Sequence, residues 1–157
     1  MKGSNILYLF NFDGTLCGRG INHSFLNGVK NCLKYPPYLN PTTYDIRWSI
    51  LTERPKIEFP VIKTWCSIFG LSPEKIFCQP NIFNKFACDE EMFDWKYNML
   101  VNFITQKDLQ FSREITKVFY IDNDNPSINY MNGRLQSYEI ICITVIDFIT
   151  KKFNFLI

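Results

Sequence analysis

Polar residues that could do chemistry follow three apolar segments of the chain, each where the segment ends: residues 11–15, 52–54 and 122–124. They include carboxylates, threonine hydroxyls and an arginine. Cleavage of a phosphate ester needs a nucleophile, a proton donor for the leaving oxygen, and positive charge to offset the phosphoryl oxygens. The chain offers the last two of these but not the first.

The segments that must position these residues alternate between strand and helix patterns. Short apolar runs bounded by turn residues predict buried strands over residues 6–12, 44–52, 76–78, 117–122 and 138–146. Apolar spacing and helix-ending prolines or glycines predict helices over residues 23–34, 60–69, 92–105 and 126–132, while residues 83–91 are irregular.

This alternation predicts one α/β domain over residues 1–157, a Rossmann-like three-layer sandwich with a mostly parallel central sheet. In such sheets, ligands bind outside the carboxyl ends of the strands. We therefore expect the three polar stretches to form one site.

Four short motifs follow one another along the chain: FNFDGTL at residues 10–16, ILTERP at 50–55, DWKYNML at 94–100 and FYIDNDNP at 119–126. In order and structural position they resemble the four signature motifs of the haloacid dehalogenase (HAD) superfamily. The resemblance covers nearly the whole chain and implies a phosphatase, a hydrolase of phosphate monoesters. One position departs from the pattern: the family's first motif is Asp-x-Asp-Gly-Thr, and Asn11 stands where its first Asp belongs.

The resemblance implies a role for each residue of the first motif. Position 11 is that of the Asp that attacks phosphorus and forms an aspartyl-phosphate. Asp13 lies two residues further along an extended chain, hence on the same side, and would act as general acid and then base. Gly14 would permit the tight turn, and Thr15 would orient Asp13.

The second and third motifs imply groups that bind the phosphate. Thr52 would donate its hydroxyl and adjacent amides, and Lys96 would neutralise both phosphate and nucleophile. Glu53 and Arg54 stand where the family often has Gly-Arg, so they are candidates for substrate contact.

The resemblance also implies a Mg2+ cofactor. Asp122 would ligate it together with the side chain at position 11 and the backbone carbonyl of Asp13. The family's usual adjacent acidic pair is Asp122-Asn123 here, so Asp124 is the candidate for the second carboxylate. Oxygen ligands at strand ends are the kind that Mg2+ prefers.

Asn11 keeps the shape of Asp but lacks the nucleophilic carboxylate, so covalent phosphoryl transfer is expected to be abolished. One explanation is a deliberate Asp-to-Asn change that lets an ester bind without reacting. The other is a naturally inactive HAD-like protein that binds a phosphorylated ligand or a partner. The retention of Asp13, Thr52 and Lys96 favours the first, because drift after loss of catalysis would be free to erode them.

Plainer structural roles compete with these interpretations. Thr52 could cap the following helix, and Asp122 and Asp124 could be turn formers before a proline. Arg54 could form a surface salt bridge.

The third-motif lysine also has competitors. A lysine on a helix is usually solvated, and Lys85 and Lys107 flank Lys96 along the chain.

Composition limits the function classes further. The 157 residues carry a net charge of only +2, which does not by itself indicate nucleic-acid binding. Six scattered cysteines and one histidine make zinc sites of the common kinds unexpected, and indicate reduced thiols in an intracellular, cytoplasmic protein. No apolar run approaches the ~18 residues of a membrane helix, so no membrane association is expected.

The intervals between motifs suffice for single crossover helices, so we expect a minimal cap or none. An open site suits bulky substrates or is closed by another subunit, so an oligomer is compatible with it. The third and fourth motifs resemble those of phage and repair-associated HAD proteins, which favours a nucleotide or nucleic-acid terminal phosphate over another phosphorylated small molecule. A virus-encoded protein would then act in the host cytoplasm. A polyanionic substrate would require Lys and Arg to cluster at the strand ends.

Overall fold

The computed structural model describes residues 4–18, 23–34, 44–81, 86–105, 115–135 and 138–150. Strands and helices alternate along them: β1 (Ser4–Phe10), α1 (His23–Lys34), β2 (Tyr44–Pro55), a 3-10 turn (Lys56–Glu58), α2 (Phe59–Ile68), β3 (Ile76–Gln79), α3 (Asp89–Thr105), β4 (Lys117–Asp122), α4 (Asn125–Arg134), β5 (Ile140–Thr144) and α5 (Val145–Thr150). This is the element order of an α/β protein, as predicted.

The described strands form one five-stranded sheet in the order β3-β2-β1-β4-β5, and all four pairings are parallel. The order reverses at β1: the chain builds β2 and β3 on one side of it, then crosses to build β4 and β5 on the other. Such a reversal opens a crevice at the carboxyl ends of the two central strands, here β1 and β4.

Helices cover both faces of the sheet, because successive side chains of a strand point to opposite faces. On one face, Tyr8 and Phe10 of β1 pack with buried side chains of α1, α2 and α5. On the other, Leu7 and Leu9 pack with buried side chains of α3 and α4. Two apolar cores therefore clamp β1, which confirms the three-layer Rossmann-like α/β architecture.

The last strand is shorter than predicted. The prediction of a strand over residues 138–146 was wrong at its end, since β5 stops at Thr144 and α5 begins at Val145. The Thr144 hydroxyl accepts the backbone N–H of Asp147 at 3.1 Å, which caps the new helix. An unbroken apolar run does not distinguish strand from helix, whereas the Thr-x-x-Asp spacing is a capping signal.

Several other boundaries moved by one to three residues; the strand predicted over residues 6–12, for example, is β1 at Ser4–Phe10. β2 continues to Pro55 instead of ending at Thr52, and α3 begins three residues early, at Asp89. Its first turn is Asp89, Glu90 and Glu91, and acidic residues there complement the helix dipole.

The prediction of a minimal or absent cap stays a prediction, because residues 19–22 and 35–43 lie outside the described residues. The helices within the described part of the chain are too short or too polar to cross a membrane.

All six cysteines lie among the described residues, and all are free thiols. Cys142 is buried, and burial together with the nearby charge of Asp122 raises the pKa of its thiol to about 12. Cys88 is exposed. The two thiols therefore differ in access, and Cys142 is held in its protonated form.

We predict that iodoacetamide at pH 8 alkylates Cys88 first and leaves Cys142 unmodified in the folded chain. The thiolate is the reactive form, and a raised pKa keeps Cys142 protonated at that pH. Peptide mass mapping after a timed reaction measures the order. Equal labelling in the native state would contradict the buried position, and labelling of both in urea is the control.

Neighbouring residues of α2 provide a matched test of the core. Ile62 is fully buried, whereas Val61 is 58% exposed. We predict that Ile62→Ala lowers the free energy of unfolding by about 2–5 kcal/mol, through lost burial and a cavity. Val61→Ala should change it by less than about 0.5 kcal/mol. Urea unfolding followed by circular dichroism measures both, and equal losses would contradict the packing of α2.

Candidate active site

Three chain segments distant in sequence meet at the carboxyl ends of β1 and β4. Asn11 follows β1 directly, and its backbone N–H donates to the carbonyl of Ile121 in β4 at 2.9 Å. Asp122 is the last residue of β4, and Lys96 reaches the same point from α3. Asn11, Lys96 and Asp122 are 4%, 1% and 1% exposed, so the centre of the site is buried.

The carboxamide of Asn11 bonds through both of its polar atoms. Lys96 Nζ donates to its Oδ1 at 3.1 Å. Its Nδ2 donates to the backbone carbonyl of Asp13 at 2.9 Å and to Asp122 Oδ1 at 3.2 Å. Asn11 therefore connects the ends of β1 and β4 with the middle of α3.

The carboxylate of Asp122 collects donors from several directions. Besides Asn11 Nδ2, its Oδ1 accepts the Thr15 hydroxyl at 3.4 Å and the backbone N–H of Asp124 at 3.0 Å. Its Oδ2 accepts the Tyr120 hydroxyl at 2.7 Å. Burial and the charge of Asp122 raise the pKa of Tyr120 well above its usual range, so this phenol stays a donor.

Lys96 is the buried cation of the site. Its Nζ lies 3.2 Å from Glu53 Oε2 and 3.9 Å from Asp122 Oδ2, in addition to its bond with Asn11. Burial of this kind excludes the alternative of a solvated surface lysine. The competing Lys85 and Lys107 lie outside the described residues.

Asp13 forms a two-pronged ion pair with Arg54. Arg54 Nε lies 2.9 Å from Asp13 Oδ2, and Nη2 lies 2.7 Å from Oδ1. The hydrogen bond to Asp13 raises the pKa of Arg54, which also lies 3.7 Å from Glu58 and over the Phe12 ring. Arg54 thus holds the carboxylate that the HAD resemblance assigns to proton transfer.

The turn after β1 brings Thr15 back to the site. Gly14 has φ of 74°, in the left-handed region that glycine adopts without strain. The amides of Thr15 and Leu16 then return to the carbonyl of Phe12 at 3.3 and 3.0 Å. The Thr15 hydroxyl accepts the backbone N–H of Asn123 at 3.1 Å. Thr15 therefore holds the residue that follows β4, and it does not orient Asp13 as expected.

Thr52 is buried within β2, the strand beside β1, and its hydroxyl accepts the backbone N–H of Arg54 at 3.2 Å. The helix that follows is preceded by Pro55 and Glu58 at the cap positions. Thr52 is therefore not a helix cap, and its bond lies at the irregular end of β2 that carries Glu53 and Arg54.

Asp124 lies at the start of α4, where its Oδ2 accepts the backbone N–H of Ser127 at 3.3 Å. It is the N-cap of that helix. Partial burial and the charge of Asp122 raise its pKa. One of its oxygens thus has the structural role, at the turn before α4, that was the alternative to metal binding.

A cavity of about 470 Å³ opens beside the Asp13–Arg54 pair. Its described lining includes four carboxylates, from Asp13, Glu53, Glu58 and Asp89, together with Phe86, Ala87, Cys88 and Met92. Arg54 is the sole cation among these lining residues. The described lining of this cavity therefore holds no cluster of Lys and Arg.

The donor set was tested against a Mg2+ ion. The Asp13 carbonyl and Asp122 Oδ1, two of the three oxygens that the resemblance assigns to it, both accept from Asn11 Nδ2. A search of the described residues for three or more His, Cys, Asp or Glu side chains grouped as a metal site found none. With Asn11 at this position, the side chains do not fit a Mg2+ site.

Sequence reasoning missed two contacts. It did not pair Glu53 with Lys96, and it assigned nothing to Tyr120. Tyr120 is two residues before Asp122 on the same strand, so the two-residue period of a strand places both on one side. That spacing was the available signal.

Comparison of the chain with protein-family models, with curated proteins and with solved structures found no match.

We predict that Lys96→Met lowers the free energy of unfolding by about 3–5 kcal/mol, because it leaves Asp122 buried without its cation. Lys63→Met is the matched control: Lys63 is an exposed residue of α2, and a surface substitution there should change the free energy of unfolding by less than about 0.5 kcal/mol. Urea unfolding at pH 7 measures both. Equal, small effects would show that Lys96 is not buried among these carboxylates.

Proposed function

We propose that the chain is a phosphomonoesterase of the HAD type that is switched off at position 11, and that it binds phosphate monoesters without cleaving them. The observation that carries the proposal is the buried contact of Asn11 with Lys96 and Asp122. These residues are 85 and 111 positions away from it in sequence. They belong to three different motifs of the HAD set, and contact between them is what that chemistry requires.

The resemblance assigns the remaining roles, and the contacts of the site support them. Asp13 is the proton donor for the leaving oxygen, and its partly exposed side chain lines the cavity. Lys96 offsets negative charge at position 11, and Arg54 at the cavity wall binds phosphoryl oxygens by exchanging Asp13 for them. Mg2+ belongs to the form with Asp at position 11, where it would supply charge for the phosphoryl oxygens.

The proposed substrate is a nucleotide or a nucleic-acid terminal phosphate, from the resemblance of the third and fourth motifs to phage and repair-associated proteins. The carboxylate-rich cavity lining favours the smaller of these, a mononucleotide. A panel of mononucleotides, 5'- and 3'-phosphorylated oligonucleotides, sugar phosphates and a phosphopeptide tests the class. Equal turnover of all of them would remove the preference for nucleotides.

The catalytic test is the change Asn11→Asp, assayed on a generic aryl phosphate with Mg2+. We predict measurable turnover in Asn11→Asp and none in the parent chain, because only a carboxylate can attack phosphorus at this position. Adding Asp13→Asn to Asn11→Asp should lower turnover about 100- to 10,000-fold, the usual contribution of a general acid. No turnover by a folded Asn11→Asp chain would refute the enzyme hypothesis.

A naturally inactive binding protein is the second candidate. The complete hydrogen bonding of the Asn11 carboxamide favours it, since this amide is well accommodated where it lies. Both candidates predict ligand binding by the parent chain. Calorimetric titration of the parent with a mononucleotide, beside the turnover assay of Asn11→Asp, separates them: binding without restored turnover supports the second.

A further inference from the structure

The orientation of the Asn11 carboxamide is fixed by Lys96. An ammonium group has three donors and no acceptor, so the atom of Asn11 that faces it at 3.1 Å must be the oxygen. The NH2 group is then forced to the opposite side. Lys96 is 1% exposed, so its ammonium group cannot turn to water and let the Asn11 carboxamide rotate.

Two acceptor oxygens lie on that opposite side. The Asp13 carbonyl lies 2.9 Å and Asp122 Oδ1 lies 3.2 Å from Asn11 Nδ2. These are the two oxygens that the proposed function assigns to a divalent cation. The electropositive NH2 group therefore bridges the same pair of oxygens that a cation would bridge.

The carboxylate of Asp122 has little capacity left for a metal. A carboxylate accepts at about four lone-pair positions. Its Oδ1 already faces Asn11 Nδ2, the Thr15 hydroxyl and the Asp124 amide, and its Oδ2 faces the Tyr120 hydroxyl. A cation would have to displace at least one of these donors.

A flip of the amide would not make room at low cost. It would turn Oδ1 toward the cation, but it would also place the NH2 group against the ammonium of Lys96, donor against donor. An Asp at position 11 has no such conflict, since both of its oxygens accept.

We propose that the Asn11 carboxamide takes the place of the divalent cation in this chain, so that the site is assembled without metal. The identity of the two bridged oxygens as metal ligands rests on the proposed function. The change Asn11→Asp removes the bridging donor and sets a second carboxylate beside Asp122. The single ammonium of Lys96 would then face three carboxylates, since it already faces Glu53 and Asp122, and a further cation is needed to offset the excess negative charge. The metal requirement is therefore created by that change.

The first test measures metal binding directly, with Mn2+ as the probe. Electron paramagnetic resonance reports free Mn2+ during titration of the parent chain and of Asn11→Asp. We expect a single site in Asn11→Asp and at least tenfold weaker binding in the parent. Asn98→Asp makes the same chemical change at an exposed position of α3, and it should bind no more Mn2+ than the parent.

The second test measures stability. Mg2+ at about 100 times its dissociation constant should raise the melting temperature of Asn11→Asp by roughly 5–10 °C. The parent should respond to Mg2+ no more than to NaCl at matched ionic strength. The Asn11 side-chain amide signals in a nitrogen–proton correlation spectrum should likewise stay unchanged on addition of Mg2+.

Tight Mn2+ binding by the parent, or loss of its Asn11 amide signals with Mg2+, would overturn the proposal even if Asn11→Asp failed to fold. Failure of the proposed function gives a different result. A variant Asn11→Asp that gains a Mn2+ site without phosphatase turnover supports the inference and refutes the function. Turnover by Asn11→Asp together with tight Mn2+ binding by the parent supports the proposed function and refutes the inference.

Discussion

The carboxylate of Asp122 is the charge around which this end of the molecule is arranged. It is 1% exposed, and an isolated carboxylate in that position would cost several kcal/mol. Its partners come from three separate elements: Asn11 just after the end of β1, Lys96 from the middle of α3 and Tyr120 within β4. Each of these must be placed correctly for the charge to be tolerated. The folded sheet and the polar site are therefore interdependent.

The sheet order explains why these elements meet. β1 and β4 are adjacent, and the chain leaves β1 toward one edge of the sheet and returns to β4 on the other side. The connecting segments diverge at that point, so the crevice between them is not filled by either crossover. Two apolar cores hold β1 from both faces and keep its last residue, and hence Asn11, in register with β4.

The sequence was most informative where one physical cause dominates. Apolar runs that end in turn residues predicted the strands, and a parallel sheet then required their polar ends to converge. This is how residues 11–15, 52–54 and 122–124 could be expected in one place, whereas Lys96, on a helix, was expected there only from the HAD resemblance. The same logic failed at residues 145 and 146, because an apolar run there continues from strand into helix and only the Thr144 cap separates the two.

Which side chains contact each other in the site was harder to predict than which residues belong to it. Thr15 was expected to orient Asp13, yet its hydroxyl contacts Asp122 and the amide of Asn123. Asp13 is held by Arg54 instead. Such choices depend on side-chain directions after a tight turn, which composition and spacing do not specify.

The residue at position 11 decides how much negative charge the site holds. Asp122 and Glu53 already face the single buried ammonium of Lys96, while Asp13 and Arg54 balance each other. A third carboxylate near Lys96 would leave three negative charges around one ammonium, and a further cation would be needed to offset the excess. The neutral amide avoids that repulsion and supplies a donor as well. Under the proposed function, the amide that stands in place of the nucleophile would thus also let the site accept a phosphate without metal.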